Sequence, residues 1–347
     1  MAETRVASRK NQPQIISCSR RTDVPAFHLP WLLARIEEGH ADVENPRNPS
    51  QVSRISLDPR EVRAIVLWSK DYAEFIREFE RPESPLHRFD AFVLQFTLNG
   101  RSIEECASGR APSSAFLEPG LRTTLRERLE QVAYFAANPR LRPGIAMRFD
   151  PIVHYRIGPA GVVRNNLDAL DEILRYLTAL RVPYITVAFA IQYPRVRSRI
   201  RAYNARLPAH LRIALVDVGL DERREILAMM RDRAHEFADG DESRTVHIHT
   251  CCPTGDYGDI EDVSQGVCID AEQIGRCLEA ADAPALKAGS RAKDSGQRET
   301  CKCAKSAEIG GYTGCHHSCL YCYASAEPLG DEEFARVRAA LEVQVKK

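Results

Sequence analysis

Cys315, Cys319 and Cys322 stand at the spacing C-x3-C-x2-C within the stretch YTGCHHSCLYCYA. Three thiolates on one short loop suit a soft metal. Two chemistries follow from the triplet alone. Three cysteines hold three irons of a 4Fe–4S cluster, one thiolate fewer than an electron-carrying ferredoxin cluster uses. The fourth iron is then open to a small molecule that chelates through amine and carboxylate groups, a demand that S-adenosylmethionine meets. Tetrahedral zinc instead wants a fourth protein ligand, which His316 or His317 can supply.

The chain has 347 residues and 11 cysteines, and the distribution is uneven. Besides the triplet, Cys251, Cys252, Cys268, Cys277, Cys301 and Cys303 follow residue 250, leaving only Cys18 and Cys106 before it. The opening MAETRVASRKNQ has no apolar stretch like that of a signal peptide, so a cytoplasmic protein is expected. In a reducing compartment such crowding favours metal ligation over disulfides. Four of Cys251, Cys252, Cys268, Cys301 and Cys303 can close a second site, an auxiliary 4Fe–4S cluster or a structural zinc. His247 and His249 share a strand face just ahead of them. The plain alternative is reduced cysteine buried as a small hydrophobe, the reading given to Cys18, Cys106 and Cys277.

Strands and helices alternate through the first 250 residues. Apolar runs predict strands at Gln14–Cys18, Val62–Ser69, Ala91–Leu98, Ile145–Phe149, Ile185–Ile191 and Thr245–His249. Helical spacing predicts helices at Leu29–Glu38, Tyr72–Phe79, Leu121–Ala137, Asn165–Leu180 and Glu222–Phe237. This rhythm implies a parallel sheet with crossover helices, an α/β fold. Polar residues gather where the strands end, at Arg20–Asp23, Ser69–Lys70, Thr97–Asn99, Arg148–Asp150 and Gln192–Arg195. Ligand groups collect at the C-terminal ends of parallel strands in open sheets and barrels alike. Residues 251–305 lack strong periodicity, and Lys287–Gln297 reads as a loop. A helix at Asp331–Val345 follows the triplet, its acidic start matched to the helix dipole.

Lys plus Arg and Asp plus Glu both number 48, so no global attraction to nucleic acid or acidic lipid is expected. The longest mainly apolar run, Tyr184–Ile191, is too short to cross a bilayer.

The stretch YTGCHHSCLYCYA resembles the cluster loop of the radical S-adenosylmethionine superfamily, in its spore photoproduct lyase-like branch. Tyr321 occupies the aromatic position before the third cysteine. The whole chain also resembles an uncharacterised bacterial family, a domain of unknown function with such a cysteine cluster at its C-terminal end. The superfamily carries the motif on its first barrel strand, near the N-terminus, whereas here it lies near the C-terminus. A circular permutation reconciles the two, and chain termini that lie close together tolerate one. The resemblance then implies a partial (β/α) TIM-like barrel with its cluster-bearing strand, about Glu308–Tyr312, as strand one. Gln14–Cys18 becomes strand two, Ala64–Ser69 three, Ala91–Leu98 four, Ile145–Phe149 five and Ile185–Ile191 six. Residues 1–250 supply strand two onward, 251–305 a cysteine-bearing insertion, and 306–347 the strand, loop and helix that complete the barrel.

SRRTD (Ser19–Asp23) resembles the branch's Thr-Asp element, which meets the cofactor's amino group. WSK (Trp68–Lys70) resembles its Thr-Lys element, which meets the carboxylate. The resemblance therefore implies Asp23 and Lys70, with Thr22 and Ser69 beside them, as cofactor-binding residues. By residue type alone, Asp23 equally suits a helix N-cap and Lys70 a surface cation. Thr97 and Arg148 follow by position. Arg148 and Asp150 (MRFDP) either line the barrel mouth as catalytic groups or form a buried pair that holds strand five. The implied activity is reductive cleavage of S-adenosylmethionine, with a ferredoxin- or flavodoxin-like electron donor and an unnamed substrate.

The competing reading is a non-catalytic zinc or iron–sulfur protein, a nucleic-acid-binding or redox-sensing module. Arg195, Arg197, Arg199, Arg201, Arg206 and Arg212 form a run without an acid, flanked by Tyr193 and containing Tyr203. Such a run either grips phosphates or is a solvated face. DNA-lesion repair follows only by analogy of fold.

Overall fold

Runs of Val, Ile and Leu make strands that only a sheet covered on both faces can bury. Val62–Ser69 (VRAIVLWS) is buried at every position except Trp68. The structure is a computed structural model and describes residues 13–45, 48–107, 114–252, 255–283, 293, 297–311, 314–324 and 328–345. Its strands are β1 (Gln14–Cys18), β2 (His40–Asn45), β3 (Asn48–Ser56), β4 (Val62–Ser69), β5 (Phe92–Thr97), β6 (Ile145–Ile152), β7 (His154–Ile157), β8 (Arg164–Asn165), β9 (Tyr184–Phe189), β10 (Ile213–Val216), β11 (His247–Thr250), β12 (Val263–Gln265) and β13 (Ala307–Ile309). Its helices are α1 (Val24–Phe27), α2 (Leu29–Glu38), α3 (Ala73–Phe79), α4 (Ile103–Ala107), α5 (Leu125–Ala137), α6 (Leu170–Ala179), α7 (Pro194–Ala205), α8 (Leu220–Ala238), α9 (Ala271–Ala280) and α10 (Asp331–Val345).

Eight strands hydrogen-bond in the order β12-β11-β9-β6-β5-β4-β1-β13. The pairs β13–β1, β1–β4, β6–β9, β9–β11 and β11–β12 are parallel. The C-terminal strand β13 thus lies beside the N-terminal β1. The expectation of a TIM-like barrel is corrected in one respect. Among the described residues the sheet is open, with β12 and β13 at its edges, and no closed barrel forms. Strand β13 is also shorter than Glu308–Tyr312, and Tyr312 lies outside the described residues.

Two compact units divide the chain. One takes residues 1–95, 135–145 and 267–312. Its core carries Tyr72, Phe75, Phe89, Phe92 and Phe135, all fully buried. Ring contacts are edge-on between Tyr72 and Phe135 (5.3 Å) and between Phe75 and Phe92 (5.6 Å). Edge-to-face pairs add to the area they bury. Helix α2 buries Leu29, Leu32 and Ile36, one stripe at helical spacing, and Gly39 ends it at φ 75°, where a side chain would be strained.

The other unit takes residues 96–134, 146–266 and 313–347. Helix α10 buries Phe334, Val337, Leu341 and Gln344 on one face. The first three join Val196, Ile200 and Tyr203 of α7 in a cluster that also holds Leu320 of the thiol loop. The strands β10, β7 and β8 form a separate antiparallel sheet in this unit. Helix α9, capped by Asp270, occupies the stretch that lacks strong periodicity. Most of the loop expected at Lys287–Gln297 lies outside the described residues.

Candidate functional site

The thiol loop is held from outside itself, within the second unit. Leu320 N–H donates to Leu117 O at 2.9 Å, and Gly120 N–H to His317 O at 3.0 Å. Gly120 leaves no room for a side chain: a Cβ there would sit 1.8 Å from the His316 carbonyl oxygen. Gly314 (φ 79°) and Ser318 (φ 52°) turn the backbone through the left-handed region. Cys319 is buried, and Cys315 and Cys322 are half-buried. His316 is exposed, whereas His317 is buried at 4%. Among the described residues no three His, Cys, Asp or Glu side chains are gathered closely enough to hold an ion. The three sulfurs share a loop rather than one coordination sphere. As a donor set, thiols on one short turn fit an iron–sulfur cluster or zinc.

Tyr321 anchors the loop on its polar side. Its hydroxyl donates to Glu118, itself 4% exposed, and accepts from Asn99 Nδ2 at 2.9 Å. Burial pushes the phenol well above its ordinary pKa, and the Glu118 carboxylate pushes the same way, so the group stays a neutral donor. Asn99 also donates to Asp150 O at 3.0 Å and accepts from Asp150 N–H at 2.8 Å. A small cleft opens here, lined by Asn99, Arg101, Ser114, Glu118 and Tyr321 among others. Arg148 is buried and ion-paired with the Asp150 carboxylate. These two were candidates for a barrel mouth or for a buried pair; they form an ion pair at the end of β6 in which the Asp150 side chain stays 25% exposed. Thr97 is half-buried at the end of β5.

In the first unit the ends of β1 and β4 meet through Asp23. Its Oδ1 accepts Ala26 N–H at 3.0 Å, which caps α1, and the Ser69 hydroxyl at 2.7 Å. Its Oδ2 accepts Lys70 N–H at 2.8 Å. The N-cap reading of Asp23 is thus realised, and Asp23, Ser69 and Lys70 are brought together. A carboxylate fixed this firmly is preorganised for an ammonium group. Beside it, the buried Thr22 Oγ1 has no hydrogen-bond partner among the described residues. An unsatisfied buried hydroxyl of this kind is what a ligand's polar group would complete.

The cysteines proposed for a second site divide between the units. Cys251 and Cys252 belong to the second, and Cys268, Cys301 and Cys303 to the first. Cys268, Cys301 and Cys303 are buried at 6%, 6% and 4%. The Cys303 thiol donates to the Cys268 sulfur and is held far above its ordinary pKa by that bond and by burial. Cys277 donates to Phe92 O at 3.6 Å, and burial pushes it up to about 12, as expected of a core thiol.

Glu118, Gly120 and Asn99 were not singled out by sequence reasoning as site residues. The turn signal Glu118-Pro119-Gly120 was visible, but its distant partners were not. The arginine run also changes meaning. Arg199 donates to Cys322 O, and Arg206 binds Leu329 O at 3.1 Å and Asp331 at 2.8 Å. Arg195, Arg197 and Arg201 stay exposed on α7. No helix is long and apolar enough to cross a membrane among the described residues.

No curated protein and no solved structure matches the chain. Residues 15–324, most of its length, match the domain of unknown function DUF1848, and the chain belongs to that family.

Proposed function

We propose that the chain is a radical S-adenosylmethionine enzyme whose 4Fe–4S cluster is ligated by Cys315, Cys319 and Cys322. The observation that carries this reading is the strand order, in which C-terminal β13 pairs in parallel with N-terminal β1. That is the arrangement a circularly permuted member of the superfamily needs. Held by these three thiolates, a 4Fe–4S cluster would supply the one-electron reduction that S-adenosylmethionine chemistry needs. The protein's own part is positioning. Asp23, fixed by Ser69 and the Lys70 backbone, receives the amino group, and Lys70 receives the carboxylate. Tyr321, Asn99 and Glu118 hold the loop that presents the thiols. The electron comes from a donor such as ferredoxin or flavodoxin.

His317, buried on the same loop, favours a second reading, in which it completes a four-ligand zinc or iron site in a non-catalytic protein. One experiment separates the two: anaerobic reconstitution with iron and sulfide, then electron paramagnetic resonance with and without S-adenosylmethionine. A 4Fe–4S signal that shifts with the cofactor and disappears in Cys315→Ala supports the enzyme. Stoichiometric zinc, or a cluster indifferent to the cofactor, overturns it.

A further inference from the structure

Cys268, Cys301 and Cys303 lie close together in the first unit, apart in sequence from the thiol loop. The backbone is arranged around the sulfurs rather than merely enclosing them. Ala304 N–H donates to Ile269 O at 2.9 Å, which lays the segment after Cys303 against the segment after Cys268. In return Ile269 N–H points at the Cys303 sulfur, and the Cys303 thiol points at Cys268. Cys301 N–H closes a turn onto Arg298 O at 3.0 Å, and its sulfur acts on Cys303 through its charge. Gln95 adds a bond to the Cys268 carbonyl. The Ile269 N–H is available to the sulfur of a metal-bound Cys303, as outer-shell donors are to metal ligands. Three buried cysteines that served only as small hydrophobes would have no use for it.

We propose that Cys268, Cys301 and Cys303 form a second metal site, a thiolate pocket for a soft metal centre. Cys268 and Cys303 are the preformed half, and binding gathers Cys301 onto them. Loading breaks three S–H bonds and forms three metal–sulfur bonds, and three protons pass to solvent. Adjacent thiolates repel one another, and a cation among them removes that cost. Three thiolates suit an iron–sulfur cluster as they stand and zinc with a fourth ligand from solvent, and the site does not depend on what the thiol loop binds.

The test uses full-length protein with Cys315, Cys319 and Cys322 changed to Ala, so that failure of the loop reading cannot imitate failure here. Zinc, iron and acid-labile sulfide are measured after anaerobic purification. About one zinc per chain without sulfide, or iron with matching sulfide, is expected, falling at least tenfold on adding Cys268→Ser or Cys303→Ser. Cys277→Ala, a buried thiol of the same unit, keeps the metal. Cobalt(II) added to metal-free protein reports without further substitution, because thiolate ligation gives an intense near-ultraviolet charge-transfer band. Absence of that band overturns the proposal. So does metal that survives both serine variants, or a metal-free chain in which Cys268 and Cys303 are simply reduced.

Discussion

Tyr321→Phe removes one hydroxyl from the loop's polar anchor and leaves the ring in place. The cost is set by what the hydroxyl touches. It donates to the buried Glu118 carboxylate and accepts from Asn99, whose amide keeps its bond to Asp150 O. Asn99 keeps that bond, while Glu118 loses the charge-assisted one from the hydroxyl. A hydrogen bond to a carboxylate is worth about 1.5–3 kcal/mol, and a buried partner left unsatisfied retains its desolvation penalty. We expect Tyr321→Phe to destabilise by about 2 kcal/mol, measured by urea unfolding followed by circular dichroism. At about 2–4 °C per kcal/mol this lowers the melting temperature by roughly 4–8 °C. Glu118→Leu should cost a comparable amount, since it removes the carboxylate acceptor of the same bond. Both single variants break that one bond, so the double variant should lose at least about 1 kcal/mol less than the sum of the singles. Additivity within about 0.5 kcal/mol would refute the bond as the loop's anchor.

Other outcomes follow from the same contacts. Gly120→Ala drives a methyl group into the His316 carbonyl, so it should destabilise by about 1–3 kcal/mol. It should also make Cys319 react faster with a thiol reagent; unchanged labelling and melting would count against the close approach. Asp23→Ala removes the α1 cap and the carboxylate that accepts from Lys70 N–H, while the Ser69 hydroxyl keeps Asp71 O at 2.7 Å as an acceptor; the cost should be about 2 kcal/mol, with Asp23→Asn in between because its amide faces another donor. Equal melting temperatures for all three proteins would remove Asp23 from its central place. Burial lowers the pKa of His154 below its ordinary value, against the opposing pull of Glu222 3.6 Å away. The unfolded chain therefore binds the proton more readily, and this contribution to stability is full above about pH 6.5 and lost as pH falls through the folded-state pKa. His154→Gln should lose less stability than the parent between pH 7 and 5; parallel curves would show that His154 is not responsible.

How much was legible depended on whether a signal was local. Val62–Ser69 and Gln14–Cys18 were read to the residue, because an unbroken apolar run bounded by polar residues needs no knowledge of its neighbours. Helix α10 was equally plain, with acid at its start and Phe334, Val337 and Leu341 at helical spacing. The hairpin of β2 and β3 was not seen. Its residues are largely polar and exposed, and cross-strand contacts such as Arg54 to Asp42 at 2.8 Å tie it together, which no periodicity records. Helix α9 was missed for a different reason: its apolar stripe is short, only Ile274, Cys277 and Leu278 with Gln273.

The site shows the same division more sharply. Asp23 and Ser69 stand at strand ends that are marked in sequence, and the two strands are adjacent. Asn99 sat within a marked strand end, yet its role rests on partners 51 and 222 positions away. The arginines are the most instructive case. A run without acids is ambiguous in sequence, because charge density does not say which face of a helix each residue occupies. On α7, Val196, Ile200 and Tyr203 turn inward, and Arg199 beside them reaches a carbonyl of the thiol loop. Arg206, just past the helix, stacks 3.8 Å from Phe334 and pairs with Asp331 at the start of α10. These two arginines link α7 to the loop and to the helix after it, leaving Arg195, Arg197 and Arg201 exposed on α7 and Arg212 exposed beyond it. A cationic side chain that donates to a main-chain carbonyl and covers an aromatic ring works as a structural clamp. The stretch that looked most like a nucleic-acid grip is therefore, in two of its six arginines, part of the scaffold that holds the thiol loop.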